Sequence, residues 1–161
     1  MTKTLTSKGI GAPDFTKELR TVIYTLSSDK DLHFTDTIAQ NGVEKENITG
    51  LRSDRIRISR ITIQSDQRLL FQVLFYGKDT FEQADMDDDS FIDAVELNLP
   101  QYGIQQTTNQ WRLDVKDLDV NYVDQDGTKE LHVVLKNLSP TDKNGGATGE
   151  VKIDFLCESR A

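Results

Sequence analysis

Apolar and polar residues alternate with a period of two along most of this chain, and this pattern constrains the fold more than any other feature. Ile56 and Ile58 alternate with arginines, and Val151, Ile153 and Phe155 alternate with charged residues. Successive side chains of a β-strand point to opposite faces, so the pattern predicts half-buried strands. No segment of ten or more residues shows a convincing helical period.

The number and spacing of these segments predict a single β-sandwich domain. About eight strands, separated by turn signals such as Asn41-Gly42 and Asn144-Gly145, fit a two-layered antiparallel sandwich. Strands joined by long crossing connections fit a jelly roll better than an immunoglobulin-like sandwich. We therefore expect an all-β, jelly-roll-like sandwich over residues 15–161, preceded by an extended N-terminal arm over residues 1–14.

Local irregularities in the pattern refine this prediction. The apolar phase shifts by one residue at Ser59-Arg60 and again at Lys116-Asp117, as a β-bulge or a strand switching sheets would produce. Asp126-Gly127 lies between two alternating segments and predicts a hairpin. The nearly continuous apolar run over residues 69–76 predicts a central strand buried on both faces.

The composition disfavours several classes of partner. The 161 residues include 27 acidic and 19 basic side chains, for a net charge of −8, whereas nucleic acid and anionic membranes attract positive charge. The longest apolar runs, about five residues, are too short to cross a bilayer. Residues 1–11 lack the apolar core of a secretory signal, so we expect synthesis in the cytoplasm.

Residues suited to catalysis are scarce, and we expect no enzymatic activity. The single cysteine, Cys157, excludes an intrachain disulfide and alternates with Phe155 and Ile153, which predicts a buried thiol. His33 and His132 are predicted to face outward from strands. Neither a nucleophile elbow nor a glycine-rich phosphate loop occurs.

An acidic stretch over residues 85–96 is the most specific local motif. Set against the twelve-residue calcium loop, its acidic residues fall at the first, third, fifth, ninth and twelfth positions. The predicted calcium ligands are Asp85, Asp87, Asp89, Asp93 and Glu96, with the backbone carbonyl of Phe91. Ser90 stands where the calcium loop has an invariant glycine. A solvated acidic turn before a strand is the alternative interpretation.

Arginines cluster in the segment 52–68, where five of them face only two acidic residues. Guanidinium groups pair bidentately with carboxylates, so Arg52, Arg55, Arg57 and Arg60 are candidates for contact with the acidic stretch of a neighbouring copy. A solvated strand face with local ion pairs is the alternative. Nucleic-acid binding would need interleaved aromatic residues, which this segment lacks.

Among the aromatic residues, Tyr102 is the best candidate for an exposed binding residue. It stands beside Gly103 in a predicted loop, where its ring could stack against a sugar. Trp111 and Tyr122 fall on the apolar phase of their strands, which predicts core packing instead.

The C-terminal third carries a resemblance to a known group of proteins. Residues 131–140, LHVVLKNLSP, end in an Asn-Leu-Ser turn, and residues 143–151, KNGGATGEV, run through a small-residue loop into a closing strand. This arrangement resembles the last two strands of small jelly-roll structural proteins, capsid or capsid-decorating, of prokaryotic viruses. The resemblance implies self-association, with other copies and other virion proteins as partners, and a place in the virion. It implies no catalytic residues.

Two functions therefore stand as hypotheses. The first is a structural protein that self-assembles into a homo-oligomer, a virion shell or its decoration. The alternative is a carbohydrate-binding sandwich in which calcium braces the loop that presents Tyr102.

Overall fold

Two antiparallel β-sheets form a sandwich, as the alternation predicts. The structure is a computed structural model of the chain and describes residues 21–27, 37–79, 90–108, 110–144 and 151–160. The predicted arm over residues 1–14 and His33 lie outside these ranges. None of the described residues belongs to a helix with the length and apolar character needed to span a bilayer.

The strands divide between a larger sheet, a smaller sheet and one short pair. The six-stranded sheet contains β1 (Thr21–Ser27), β4 (Arg55–Ser65), β7 (Ile104–Thr107), β8 (Gln110–Val115), β9 (Val120–Val123) and β12 (Val151–Arg160). The four-stranded sheet contains β3 (Val43–Thr49), β5 (Leu70–Tyr76), β6 (Phe91–Asn98) and β10 (Glu130–Asn137). The short pair is β2 (Thr37–Ile38) with β11 (Lys143–Asn144), and the helix α1 (Leu99–Tyr102) follows β6.

The strand pairs are nested around the middle of the chain. β5 pairs with β6, β4 with β8 and β9, β3 with β10, β2 with β11, and β1 with β12, all antiparallel. The chain is therefore a long double strand folded over into two layers. It changes sheet between β3 and β4, β4 and β5, β6 and β7, β9 and β10, and β10 and β12, whereas β5 and β6 stay in one sheet. This is the jelly-roll arrangement that the sequence predicts. β5 lies between β10 and β6, so the predicted central position is confirmed. The predicted burial on both faces is wrong, because Leu70, Gln72 and Leu74 on the face away from the core are only half-buried.

One apolar layer fills the space between the two sheets. Ile58, Ile61 and Ile63 of β4 are fully buried, and Phe75 of β5 meets Phe155 of β12 edge to face with ring centroids 6.0 Å apart. Tyr122 is buried and Trp111 packs partly buried against the same cluster, so the prediction that both rings belong to the core is confirmed. Such edge-to-face contacts and full burial provide the main stabilisation of a sandwich.

A β-bulge at Ser59 explains the first phase break. β12 pairs Cys157 with Ile58 and Leu156 with Arg60, which leaves Ser59 without an opposing residue. At the same point the other neighbour of β4 changes from β9 to β8, and the Leu118 N–H donates to the Ser59 carbonyl at 3.0 Å. The second predicted break, at Lys116-Asp117, is therefore the gap between β8 and β9, where Asp117 adopts a φ of 57°.

The prediction of a hairpin at Asp126-Gly127 is wrong. β9 belongs to the six-stranded sheet and β10 to the four-stranded sheet, so the connection between them crosses from one layer to the other. Gly127 has a φ of 70° and Lys129 a φ of 58°. The Asp-Gly signal marks a tight reversal of the chain, but it does not determine whether the two strands pair with each other.

We predict that the Cys157 thiol reacts only when the protein unfolds. Cys157 is fully buried, and this burial raises the pKa of its thiol to about 12. At pH 8 a thiol-specific reagent such as DTNB should label the native chain far more slowly than the urea-unfolded chain. Because an unfolded thiol ionises near pH 8.5, the free energy of unfolding should fall as the pH rises from there towards 12. Rapid labelling of the native protein would contradict the assignment.

Candidate functional site

A polar cluster with a buried centre lies at the end of the sandwich where the chain crosses from β9 to β10. We call it the His132 cluster, and it comprises Asn47, Asp79, Asp124, Asp126 and His132. His132 lies on β10 between Asn47 of β3 and Tyr76 of β5. The alternation correctly places His132 on the face away from the core. Its predicted exposure is wrong, however, because it is only 2% exposed.

The Asp124 carboxylate organises the crossing. Its Oδ1 accepts the Asp126 N–H at 3.0 Å, and its Oδ2 accepts the Glu130 N–H at 3.1 Å and the Thr128 hydroxyl at 3.3 Å. Burial by itself would raise the pKa of this carboxyl. The Glu130 and Asp126 N–H groups, with the His132 ring, outweigh that effect and hold the pKa below its usual range. The crossing is therefore built around an ionised, buried carboxylate.

Tyr122 connects the same crossing to both layers. Its hydroxyl donates to the Glu130 carbonyl at 3.0 Å and accepts the His132 backbone N–H at 2.9 Å. The ring belongs to β9 and the two backbone groups to β10, so the hydroxyl joins one sheet to the other. Burial of this hydroxyl raises its pKa.

The side chain of His132 contacts three polar groups of the cluster. Nδ1 lies 2.9 Å from Asn47 Oδ1, and Nε2 lies 3.3 Å from Asp124 Oδ1 and 3.5 Å from Asp126 Oδ2. In the described part of the chain, Asp124, Asp126 and His132 form a group that could hold a metal ion, since their ligand atoms all lie within 4.8 Å of one another. Asp124 and His132 are buried, whereas the Asp126 side chain is 33% exposed.

Asp79 forms the outer part of the His132 cluster and contacts Lys45 beside it. The Asp79 N–H donates to Asp126 Oδ2 at 2.9 Å, and the Asp79 carboxylate pairs with the Lys45 ammonium at 3.1 Å. Burial alone would raise the pKa of the Asp79 carboxyl. The hydrogen bonds from Lys45 and Asn47 have a larger, opposite effect, so the pKa lies below its usual value. The turn after β5 is thereby attached to the crossing.

Sequence reasoning missed this cluster because its members are far apart in the chain. The only local signal is Asp124 and Asp126 followed six residues later by His132. Asn47 and Asp79 reach the cluster through strand pairing and a turn, which single-sequence patterns do not reveal.

Three of the six predicted calcium ligands lie within the residues that the structure describes. Phe91, Asp93 and Glu96 all lie in the extended strand β6, while Asp85, Asp87 and Asp89 lie outside the described residues. Because side chains three apart on a strand point to opposite faces, the carboxylates of Asp93 and Glu96 diverge. Asp93 Oδ1 accepts the Ala94 N–H at 2.8 Å, and the Phe91 ring packs on Tyr76. Calcium binding at this loop stays a prediction.

One of the arginines predicted to contact a neighbouring copy is instead bonded within its own chain. Arg57 donates to Asp119 at 2.8 Å, to Glu158 at 3.0 Å and to the Leu118 carbonyl at 3.1 Å. This matches the interpretation of local ion pairs on a strand face.

The other three arginines differ in their surroundings. The Arg52 guanidinium lies 4.7 Å from the centre of the Tyr24 ring, and Arg60 Nε is buried without a hydrogen-bond partner among the described residues. Arg55 is exposed and lines a cleft of about 640 Å³ that opens beyond the last pair of β4 with β12, Arg57 with Glu158. Contact between these arginines and a neighbouring copy stays a prediction.

Tyr102 is exposed, as predicted, and belongs to an uncharged segment of the chain. Tyr102 is 62% exposed and Ile104 is 72% exposed, on α1 and β7 respectively. No charged residue lies between Glu96 and Arg112. This gap in an otherwise highly charged chain is the sequence signal that could have identified the segment.

A shallow cavity of about 280 Å³ adjoins this segment. Tyr102, Ile104 and Gln106 line one side, and Arg112 and Asp114 line the other. The Thr62 hydroxyl donates to Asp114 at 2.6 Å, and this bond, together with Arg112, lowers the pKa of the Asp114 carboxyl despite its partial burial.

Comparisons with known proteins give only distant similarity. No protein-family model and no curated protein matches the chain. The infectious bursal disease virus VP2 subviral particle is 7% identical, with a TM-score of 0.34, over 88% of this chain and 32% of that chain. The chain thus spans about a third of the length of that protein.

Two further solved structures are similar over nearly their whole length. The Israel acute paralysis virus pentamer is 11% identical, with a TM-score of 0.27, over 91% of this chain and 90% of that chain. TmCBM61 in complex with beta-1,4-galactotriose is 7% identical, with a TM-score of 0.26, over 92% and 93%. Because these scores are low, the fold assignment rests on the strand pairing of this chain alone.

We predict that Asp124→Asn strongly destabilises the protein. The amide would place a donor against either the N–H of Asp126 or the N–H of Glu130, and it would remove the buried negative charge. The free energy of unfolding, measured by urea denaturation in chelator, should fall by about 3 to 5 kcal/mol. Asp119→Asn is the control, because its carboxylate is 71% exposed and pairs only at the surface. Equal effects of the two changes would show that Asp124 does not organise the crossing.

Proposed function

We propose that this chain is a non-enzymatic structural subunit that self-associates through the two outer edges of its six-stranded sheet. The observation that carries this proposal is a contrast in charge between the two sheets. The edge strands β1 and β7 of the larger sheet contain no charged residue. The edge strands β3 and β6 of the smaller sheet carry Glu44, Lys45, Glu46, Asp93 and Glu96.

Uncharged edges are unusual in proteins that remain monomeric. An edge strand presents unpaired N–H and C=O groups, and soluble proteins protect such edges with charged side chains, proline or bulges. β3 and β6 have this protection. β1 lacks it. β7 has neither a charge nor a proline, although its pairing with β8 is irregular between Gln105 and Thr107, and neither outer edge is paired by any of the described residues.

The same two edges also carry exposed apolar side chains. Ile23 on β1 is 63% exposed, and Tyr102 and Ile104 beside β7 are 62% and 72% exposed. Pairing β7 of one copy with β1 of the next would continue the sheet and bury these side chains together. Such a head-to-tail contact closes into rings or shells if the rotation between copies allows it.

The role as a virion shell or decoration subunit is the finer part of the proposal. It follows from the jelly-roll strand order together with the resemblance of the C-terminal third to viral structural proteins. The buried Cys157 and the internally bonded His132 support the non-enzymatic part, because neither offers an accessible nucleophile or base. The expected partners are other copies of this chain and other virion proteins.

We predict that Ile23→Lys and Ile104→Lys each prevent assembly, because each places a charge in one half of the contact. Mass photometry or light scattering with electron microscopy should show the native chain as an oligomer and each variant as a monomer. An equimolar mixture of the two variants should give a dimer and nothing larger, since together they retain one intact β1 edge and one intact β7 edge. Thr49→Lys, on the charged edge β3, is the matched control and should assemble normally.

The alternatives give different results. A strictly monomeric native chain, or two variants that assemble like the control, would refute self-association through these edges. If Ile104→Lys alone disrupts assembly, β7 pairs with β7 of a second copy, and the proposed head-to-tail arrangement is wrong.

Carbohydrate binding is a second candidate, favoured by the cavity beside Tyr102. An exposed aromatic ring next to Gln106, Arg112 and Asp114 combines a stacking surface with hydrogen-bonding groups. The volume of this cavity, about 280 Å³, lies just below the usual range for small-molecule sites.

If carbohydrate binding is the function, Tyr102→Ala should abolish binding on a glycan array while leaving the melting temperature unchanged, because the ring is exposed. Chelation of calcium should weaken the binding if the acidic loop braces this site. A native chain that binds no glycan in the presence of calcium would eliminate this candidate and leave the assembly proposal untouched.

A further inference from the structure

The Nε2 atom of His132 faces two carboxylate oxygens in a nearly dry environment. Asp124 Oδ1 lies 3.3 Å away and Asp126 Oδ2 lies 3.5 Å away, while the ring is 2% exposed. A lone pair on this nitrogen would repel both oxygens. The arrangement therefore needs a positive centre among the three atoms, either a proton on Nε2 or a metal cation.

The contact of Nδ1 with Asn47, on the opposite side of the ring, determines which ring nitrogen is protonated when His132 is neutral. The Asn47 side chain hydrogen-bonds to the Asp79 carboxylate, which only its NH₂ group can do, because a carboxylate is an acceptor. Its Oδ1 therefore faces His132 Nδ1 at 2.9 Å and accepts a hydrogen bond from the Nδ1–H group. In the neutral ring this leaves Nε2 with its lone pair directed at the carboxylates. Metal-binding histidines are commonly oriented by such a bond from their other nitrogen.

The distances fit a shared cation better than a direct ion pair. Charge-assisted N–H···O bonds are about 2.7 to 2.9 Å long, shorter than the 3.3 and 3.5 Å found here. Two ligands bound tetrahedrally at about 2.1 Å from one ion lie about 3.4 Å apart. The two separations from Nε2 bracket this value.

The two carboxylates retain the capacity to bind an ion. Asp124 Oδ1 accepts one protein donor, the Asp126 N–H, and Asp126 Oδ2 accepts one, the Asp79 N–H. Each oxygen has two lone pairs, so one remains on each for a ligand bond. The partly exposed Asp126 side chain gives solvent access, from which water can complete the coordination.

We propose that His132 Nε2, Asp124 Oδ1 and Asp126 Oδ2 bind a divalent first-row transition cation of the Zn²⁺ type, with water as the fourth ligand. One imidazole nitrogen and two carboxylate oxygens suit this class of ion. Ca²⁺ needs six to eight oxygens, which three protein ligands do not supply. The bound ion would join the β9–β10 crossing to strand β10, and it would stabilise the folded chain because the unfolded chain lacks the site.

The test uses Co²⁺ as a spectroscopic probe of the chelator-treated full chain, without a histidine tag. Tetrahedral Co²⁺ with a histidine ligand should give visible d–d absorption that saturates at one equivalent, and Zn²⁺ should displace it and raise the melting temperature. Asp126→Asn should weaken binding about tenfold or more, since loss of an outer partner alone has effects of that size. Its amide oxygen still accepts the Asp79 N–H, so the fold is retained.

Asp117→Asn is the matched control, because Asp117 is exposed, lies in the loop between β8 and β9, and adopts a φ of 57° that asparagine tolerates. It should bind Co²⁺ like the native chain. Equal binding by the two variants would place the ion elsewhere, for example on the acidic stretch 85–89, and would overturn the proposal. So would nitrogen NMR showing both ring nitrogens of His132 protonated in excess Zn²⁺, since a proton then occupies the position assigned to the metal.

Discussion

Burial of one apolar face from each sheet is the constraint on which the rest of the structure depends. The long strand β4 shows how strict this constraint is. Ile56 and Ile58 would lie on one face of a regular strand, and Ile61 and Ile63 on the other. The bulge at Ser59 brings all four inside, where each is at most 5% exposed. The other neighbour of β4 changes from β9 to β8 at the same residue, while β12 stays paired with β4 on both sides of the bulge.

Because the chain changes sheet several times, for example between β4 and β5 and between β9 and β10, it must repeatedly carry polar backbone across the ends of the sandwich. At the β9–β10 crossing, donors from residues 126, 128 and 130 converge on the Asp124 carboxylate. The single buried carboxylate of Asp124 thus accepts hydrogen bonds from backbone N–H groups that would otherwise be left unpaired in this connection. The crossing also covers His132, so the same turn that completes the fold creates the polar cluster.

The sequence predicts the features of this fold that depend on neighbouring residues. Strand periodicity, the phase break at Ser59 and the burial of Cys157 are all visible in local patterns, and the structure confirms them. The Asp126-Gly127 hairpin fails because the turn chemistry of a paired hairpin and of a crossing between sheets is the same. The predicted exposure of His132 is wrong because strand pairing and the β9–β10 crossing bring Asn47 and Asp124 against its ring. Long-range pairing decides both outcomes, and a single sequence does not encode it in any local signal.

The edge strands of the smaller sheet are charged and those of the larger sheet are not, which favours assembly through the larger sheet. The eight acidic residues between Asp79 and Leu99 equal the net charge of the chain in number, and two of them lie on β6 of the smaller sheet. Copies that pair through β6 would bring its acidic residues together, which destabilises pairing, and copies that pair through β3 would have to remove Glu44, Lys45 and Glu46 from water. Copies that approach through β1 and β7 meet no charge on either strand. Growth in the plane of the six-stranded sheet is therefore the arrangement with the least electrostatic opposition, and the smaller sheet remains the solvated side of such an assembly.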